Sequence, residues 1–187
     1  MIFAFSTSSP IASVAIFDEG GSLLFADSKL SDMKASEACL TMIEKSGFDP
    51  REAKLFLADI GPGSFTGTRV AVTIAKTLAF ITEGQCGGAN AFDLISPTET
   101  VILPSKKGEW FIRYPGIEPI RDTSLPPEPF VGFGPNLPDQ THPLAERFGP
   151  LIPNLNLVSP LDFLPAYLIE PSISIQTKNL GLSGAKK

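Results

Sequence analysis

Fifteen of the 18 prolines lie between Pro97 and Pro171, in a chain of 187 residues. Proline has no N–H to give to a ladder and is kept out of central strands. The two halves of the chain therefore cannot be built alike. Residues before Pro97 can carry a continuous sheet with long helices. Those after it are restricted to short strands and broken helices. The shift in composition at 96–100 marks a boundary. The expected division is a first lobe at 1–98, a reduced, proline-rich second lobe at 99–175, and a small, polar, flexible tail at 176–187. Within the second lobe, 160–170 is the segment expected to pack back on the first.

The first half reads in order. "MIFAFS", "IASVAIFD" and "SLLFADS" are β-rich runs separated by turn residues, a three-stranded meander. The period then changes to that of a helix. Ala35, Cys39, Met42 and Ile43 share one face, Glu37 and Glu44 lie opposite, and Gly47 stops the run. "KLFLADI" is a fourth strand. It leads into "GPGSFTGTR" and a helix expected over 68–81. Beyond Pro97 the strands are "TVILP", "EWFIRY", "PFVGFG" and "NLNLVS". "HPLAERFG" and "PLDFLPAYLI" read as short helices.

Glycine-rich turns that open helices often hold phosphates. A Walker loop places Lys directly after its last glycine. Here Gly67 is followed by Thr68 and Arg69. A dinucleotide fingerprint spaces its glycines as G-x-G-x-x-G. Here Gly61, Gly63 and Gly67 run one residue longer. Neither motif fits. What remains is a strand-to-helix turn whose candidate anion contacts are Gly63, Ser64, Phe65, Thr66 and Gly67.

The helix after this loop carries more apolar surface than a sheet needs. At about 100° per residue, its apolar positions spread over roughly 200°, where about 100° suffices. Ala71, Ala75 and Ala79 recur at every fourth position and admit close approach. Two readings stay open. The helix is buried between sheet and second lobe, or it forms a helix-on-helix interface with a second copy or a different chain. The candidate interface residues are Ala35, Cys39, Met42, Ile43, Ala71, Ala75, Leu78 and Ala79.

Composition excludes several functions. Net charge is −5 and the isoelectric point near 4.9, the wrong sign for a stand-alone nucleic-acid binder. Cys39 and Cys86 stand far apart, as reduced thiols would in a cytoplasmic protein. With His142 as the one histidine, neither a zinc site nor a zinc peptidase can be assembled. No serine sits in G-x-S-x-G. "MIFAFSTSSP" lacks a basic leader and is too short to span a membrane, so cytoplasmic location without membrane contact is expected.

The order of meander, helix, strand, "GPGSFTGTR" and Ala-rich helix resembles the TsaB (YeaZ) family over about residues 1–96. "PAYLIEP" resembles that family's closing "P-x-Y-L-R" segment, with Ile169 in place of the Arg. The resemblance implies an actin-like (ribonuclease H-like) α/β fold of two lobes. It also implies a non-catalytic subunit that pairs with TsaD and, with the ATPase TsaE, threonylcarbamoylates the anticodon-adjacent adenosine of tRNA. The two apolar helices would dock on TsaD, or on a second copy when the protein is alone. tRNA would be reached only through the complex. No cofactor is implied for the isolated chain, and ATP or ADP only within the complex. The chain departs from the pattern at Ser6, where an acid usually ends the first strand. It departs again at Ala35–Ser36 in place of a His-Ser or His-Thr pair, and at "PSKK" in place of Asp-Ala-Arg. A serine cannot replace a carboxylate as a magnesium ligand. The alternative function is an ATP-dependent phosphotransferase of the same fold, for which Asp59 is the remaining candidate acid.

Overall fold

The structure, a computed structural model, describes residues 1–31, 34–106 and 108–166. Two sheets organise it. The larger has six strands: β1 (Ile2–Ser6), β2 (Ile11–Phe17), β3 (Leu23–Leu30), β4 (Leu55–Asp59), β5 (Gln85–Ala89) and β10 (Leu157–Val158), in the order β10-β5-β4-β1-β2-β3. Strand β2 runs antiparallel to both β1 and β3, while β1, β4 and β5 are parallel. The smaller sheet has the order β8-β7-β6-β9, built from β6 (Val101–Pro104), β7 (Trp110–Arg113), β8 (Ile120–Asp122) and β9 (Val131–Gly132). Both are overlaid by helices, an α/β arrangement.

The run "IFAF" has no polar break because β1 is covered on both faces. Side chains alternate along a strand. Phe3 and Phe5 therefore point to one face, where α1 (Ala35–Ser46) and α2 (Phe65–Thr82) pack with Val14, Ile16 and Phe56. Ile2 and Ala4 point to the other face. There they meet Phe17, Leu57, Leu94, Ala145 and Phe148. Burying each large apolar side chain of this set stabilises the fold by about 1.5–3 kcal/mol.

Three local readings are corrected. Helix α2 begins at Phe65 rather than 68, because Ser64 caps it: its hydroxyl accepts from the Gly67 N–H at 3.2 Å. Strand β5, "QCGGA", and the helix α3 (Ala91–Ile95) carried no expectation. The β5 glycines have little strand propensity, but a Cβ on Gly87 or Gly88 would crowd Leu57 and Leu157, or Ile60 and Phe163. Absent side chains let both faces of β5 be covered. The chain meets the large sheet again first through the 3-10 helix Ala145–Asn154 and β10, which pairs with β5. Within the segment expected to pack back, 160–170, Phe163 lies in the core under α1 and α2, and the Ala166 N–H donates to the Ile60 carbonyl at 2.9 Å. Residues 160–166 form no helix beyond a turn at Pro160–Asp162. The tail at 176–187, and Ile169 with it, lies outside the described residues.

Candidate functional site

Strand β4 ends on Asp59, and everything around the glycine loop is tied to that carboxyl. Asp59 is fully buried. The Gly61 N–H donates to Oδ1 at 2.8 Å, and the Ser8 hydroxyl donates to Oδ2. The Ser6 hydroxyl lies 2.7 Å from Oδ2 and 2.9 Å from the carbonyl oxygen of Pro143. A hydroxyl has one proton. When Ser6 donates it to Pro143, its bond to Asp59 requires a protonated carboxyl. Burial raises the pKa of Asp59, against the lowering effect of the Ser8, Gly61 and Ser6 bonds, and so favours that form. The residue that stands where an acid usually ends the first strand is thus a strut. Ser6 joins β1, β4 and the segment returning from the second sheet.

The glycines of the loop answer to the same packing. A methyl on Gly67 would overlap the carbonyl oxygen of Thr7, and one on Gly63 would overlap that of Ser8. The Thr7 hydroxyl donates to the Gly67 carbonyl at 2.6 Å and accepts from the Ala71 N–H at 3.1 Å. The Ser64 N–H donates to the Ser8 carbonyl at 2.7 Å. Two N–H groups of the expected anion cradle, those of Ser64 and Gly67, are therefore spent within the protein.

Outside this junction a cleft of about 1140 Å³ opens between the two sheets. All five candidate anion residues, Gly63, Ser64, Phe65, Thr66 and Gly67, lie on its wall, with the turn at 7–10, Ala35 and Ser36 of α1, and Phe133–Pro135 opposite. No described residue on this wall is ionisable. The wall offers hydroxyls, glycine backbone, the amide of Gln140 and the apolar surface of Phe65, Val70 and Phe133. Such a surface has no carboxylate for a hard cation and no cation for a phosphate. Asp59 does not reach it. The candidate acid of the phosphotransferase alternative is enclosed, with its oxygens already bonded.

The expected interface residues are corrected too. Cys39, Met42, Ile43, Ala71, Ala75 and Ala79 are buried in the core under α1 and α2, against Phe3, Phe5 and Phe56. Ala35 and Leu78 are half-buried. The small side chains every fourth residue bring α2 down on its own sheet, not on another helix. The outward surface instead holds Leu40, Phe80 and Ile81, exposed by 55%, 67% and 64%. These solvent-exposed residues lie away from the centre of the apolar arc and are missed by a reading that takes that centre as the contact.

His142 is half-buried with its ring 4.8 Å from that of Phe133. Burial lowers its pKa, and its buried Nδ1 has no hydrogen-bond partner. Among the described residues no serine, threonine or cysteine pairs with it, and no cluster of His, Cys, Asp and Glu could hold a metal. None of their helices is long and apolar enough to cross a membrane.

No protein-family model matches the sequence, and no curated protein matches it. Solved structures do. An uncharacterized protein with similarity to peptidase YEAZ from Pseudomonas aeruginosa superposes with a TM-score of 0.71 at 18% identity, over 90% of this chain and 99% of that one. YeaZ from Pseudomonas aeruginosa superposes with a TM-score of 0.68 at 19% identity, over 89% of this chain and 99% of that one. At such identities the likeness establishes a shared fold: the chain has the YeaZ fold, as its glycine loop and flanking elements led one to expect.

Proposed function

We propose that this chain with a YeaZ fold is a TsaB-type subunit: a non-catalytic partner of a TsaD-like enzyme in threonylcarbamoylation of the anticodon-adjacent adenosine of tRNA. The observation that carries the reading is the pairing of a cleft whose described wall residues are all uncharged with an exposed apolar surface on α1 and α2. A wall with no acid or base among its described residues suits a subunit that does no phosphate chemistry of its own. Leu40, Phe80 and Ile81 on adjacent helices suit a helix-on-helix contact. The order β3-β2-β1-β4-β5 with only β2 reversed supports an actin-like first lobe, and the four short strands of the second sheet support a reduced second one. The reading assigns no nucleotide to the isolated chain, leaves ATP or ADP and a TsaE-like ATPase to the assembled complex, and brings tRNA in only there. It places the chain in the cytoplasm, as a homodimer when alone.

The test is the mass in solution, with and without the TsaD-like subunit of the same organism. A one-to-one complex that forms with the native chain and fails with Leu40→Glu/Ile81→Glu supports the reading. Two proteins that stay apart at micromolar concentration overturn it. Substituting Ala75 would not serve, since that residue has no exposed surface. The phosphotransferase reading predicts magnesium-dependent ATP binding by the isolated chain. Neither the cleft wall nor Asp59 favours it.

A further inference from the structure

Strand β3 is the last strand of the large sheet, and its outer edge pairs with no strand among the described residues. The ladder with β2 fixes which of its backbone groups face that edge. The Ser31 N–H donates to the Pro10 carbonyl at 3.0 Å, in the register that pairs Ile11 with Leu30 and Ala12 with Lys29. In an antiparallel ladder every second residue turns its N–H and C=O to the partner strand. Phe25, Asp27, Lys29 and Ser31 therefore turn theirs to β2. Ala26, Ser28 and Leu30 turn theirs to the open edge.

We propose that this edge pairs with β3 of a second copy, antiparallel about a two-fold axis at Ser28, so that the two large sheets become one. The charges select that axis. The open backbone groups meet only in registers that set even-numbered residues opposite even-numbered ones. A centre at Asp27 sets that carboxylate opposite its own copy, and a centre at Lys29 does the same for the ammonium. Like charges directly opposite destabilise a pair. Centres at Ala26 or Leu30 set Asp27 opposite Phe25, or Lys29 opposite Ser31. The centre at Ser28 sets Asp27 opposite Lys29 of the copy, and Lys29 opposite Asp27. These are non-hydrogen-bonded positions of the new ladder, where side chains stand closest. Both charges lie on the face that carries α1. Lys45 of α1 bonds Asp27 at 2.7 Å, and Lys29 lies beside Lys34, Glu37 and Thr41. No carboxylate among the described residues of its own chain pairs with Lys29. On the other face the exposed Leu30 comes opposite Ala26 of the copy. One local bond is exchanged. The Ser28 N–H, which donates to Oδ1 of Asp27 at 2.9 Å in the single chain, passes to the Ser28 carbonyl of the copy and frees Oδ1 for Lys29. At eight residues β3 is not protected by shortness. A lysine on an edge ordinarily discourages pairing. Here the aspartate two residues away makes the pattern its own complement, an isologous contact. The contact uses none of Leu40, Phe80 and Ile81, so it holds whether or not a TsaD-like protein binds the helices.

The experiment uses the full chain alone. Sedimentation at micromolar concentration should give twice the chain mass of 20.0 kDa. That mass should be unchanged in Leu40→Glu/Ile81→Glu and fall to a single chain in Ala26→Pro. Ala26 turns its N–H away from β2, so proline there removes no bond from the existing ladder. Cysteines then read the register. Ser28→Cys brings two thiols together across the axis with Cα atoms about 5.5 Å apart, a span that a disulfide bridges. In Ala26→Cys the two positions stand four residues apart along the strands, about 13 Å, which it does not bridge. Cys39 and Cys86 are buried, and burial pushes their thiols up to about 12 and about 11, so neither competes. Mild oxidation should link Ser28→Cys into a covalent dimer roughly tenfold faster than Ala26→Cys. A single-chain mass throughout overturns the proposal. So does a dimer that survives Ala26→Pro, or one that Leu40→Glu/Ile81→Glu abolishes. Equal linking at the two cysteine positions overturns it as well, and that comparison decides alone should Ala26→Pro fail to fold.

Discussion

On α2 most of the fully buried side chains are small, and the most exposed apolar ones are large. Gly67, Ala71, Ala75 and Ala79 face the sheet, while Phe65, Phe80 and Ile81 face away from it. The usual rule for a helix on a sheet would reverse this. Phe3, Phe5 and Phe56 fill the space instead, so the helix must supply little volume to reach native packing density. Both faces are apolar, yet only one is part of the core. Width of an apolar arc therefore says how much surface is dry, and side-chain size within it says which part already has a neighbour.

The inner face should tolerate least. Ala75→Arg buries an unpaired cation among phenylalanines and should cost about 4 kcal/mol or more, enough to unfold a domain of ordinary stability. Loss of the cooperative urea transition would show it. A variant that folds normally would mean that Ala75 is not where the core lies. Gly67→Ala drives a methyl into the Thr7 carbonyl and should cost about 3 kcal/mol as the loop is pushed off the 7–8 turn.

Asp59→Ala comes next. It strands the Ser8 hydroxyl and the Gly61 N–H in the interior, at about 3 kcal/mol by urea midpoint. Asp59→Asn adds a pH test. The folded-state pKa of Asp59 is raised above its ordinary value of 3.8, so its contribution is complete below that value and is lost as pH rises through the folded pKa. Native protein should lose stability relative to Asp59→Asn as pH climbs from 4 towards 8. A difference that stays flat, or grows in favour of the native protein, rules out the raised pKa.

Leu40→Glu with Ile81→Glu attacks the outer face. Melting should shift by no more than about 0.5 kcal/mol equivalent, while affinity for a TsaD-like partner should fall about tenfold or more. If stability drops as much as in the inner-face variants, the two faces do not differ as argued. The smallest effect is at the rim. Lys45 bonds Asp27 at 2.7 Å, which holds the Asp27 carboxyl below its usual range. Both groups are solvated, so Lys45→Ala should cost about 0.5 kcal/mol and less in high salt.

Much of this was readable before any coordinates. β-rich runs between turn residues located β1 to β4, helical spacing located α1, and proline density marked off the strands of the small sheet. The rest failed for physical reasons. Strand β5 is hidden because two glycines replace β-branched residues where both faces are crowded. The start of α2 is displaced because Ser64, a capping residue, lies within a glycine-rich stretch that reads as turn. Of the site, the five loop residues were found and do line the cleft. Two of their N–H groups look free along the sequence but are used within the protein: that of Ser64 by the carbonyl of Ser8, in a turn far away in sequence, and that of Gly67 by the capping hydroxyl of Ser64. Ala71, Ala75 and Ala79 were correctly seen as a close-approach stripe and assigned to the wrong neighbour.

The chain crosses between the sheets twice, and each crossing is fastened. On the way out, Arg113 bonds Asp93 at 3.0 Å and the carbonyl of Ser96, and lies over the ring of Phe92. On the way back, the Pro143 carbonyl receives Ser6, and the Ala145 N–H donates to the Ser13 hydroxyl at 2.9 Å. A clamshell protein works by leaving such passages loose, so that its halves swing about them. Here the pivots are bolted. The aperture between the sheets is therefore set when the chain folds.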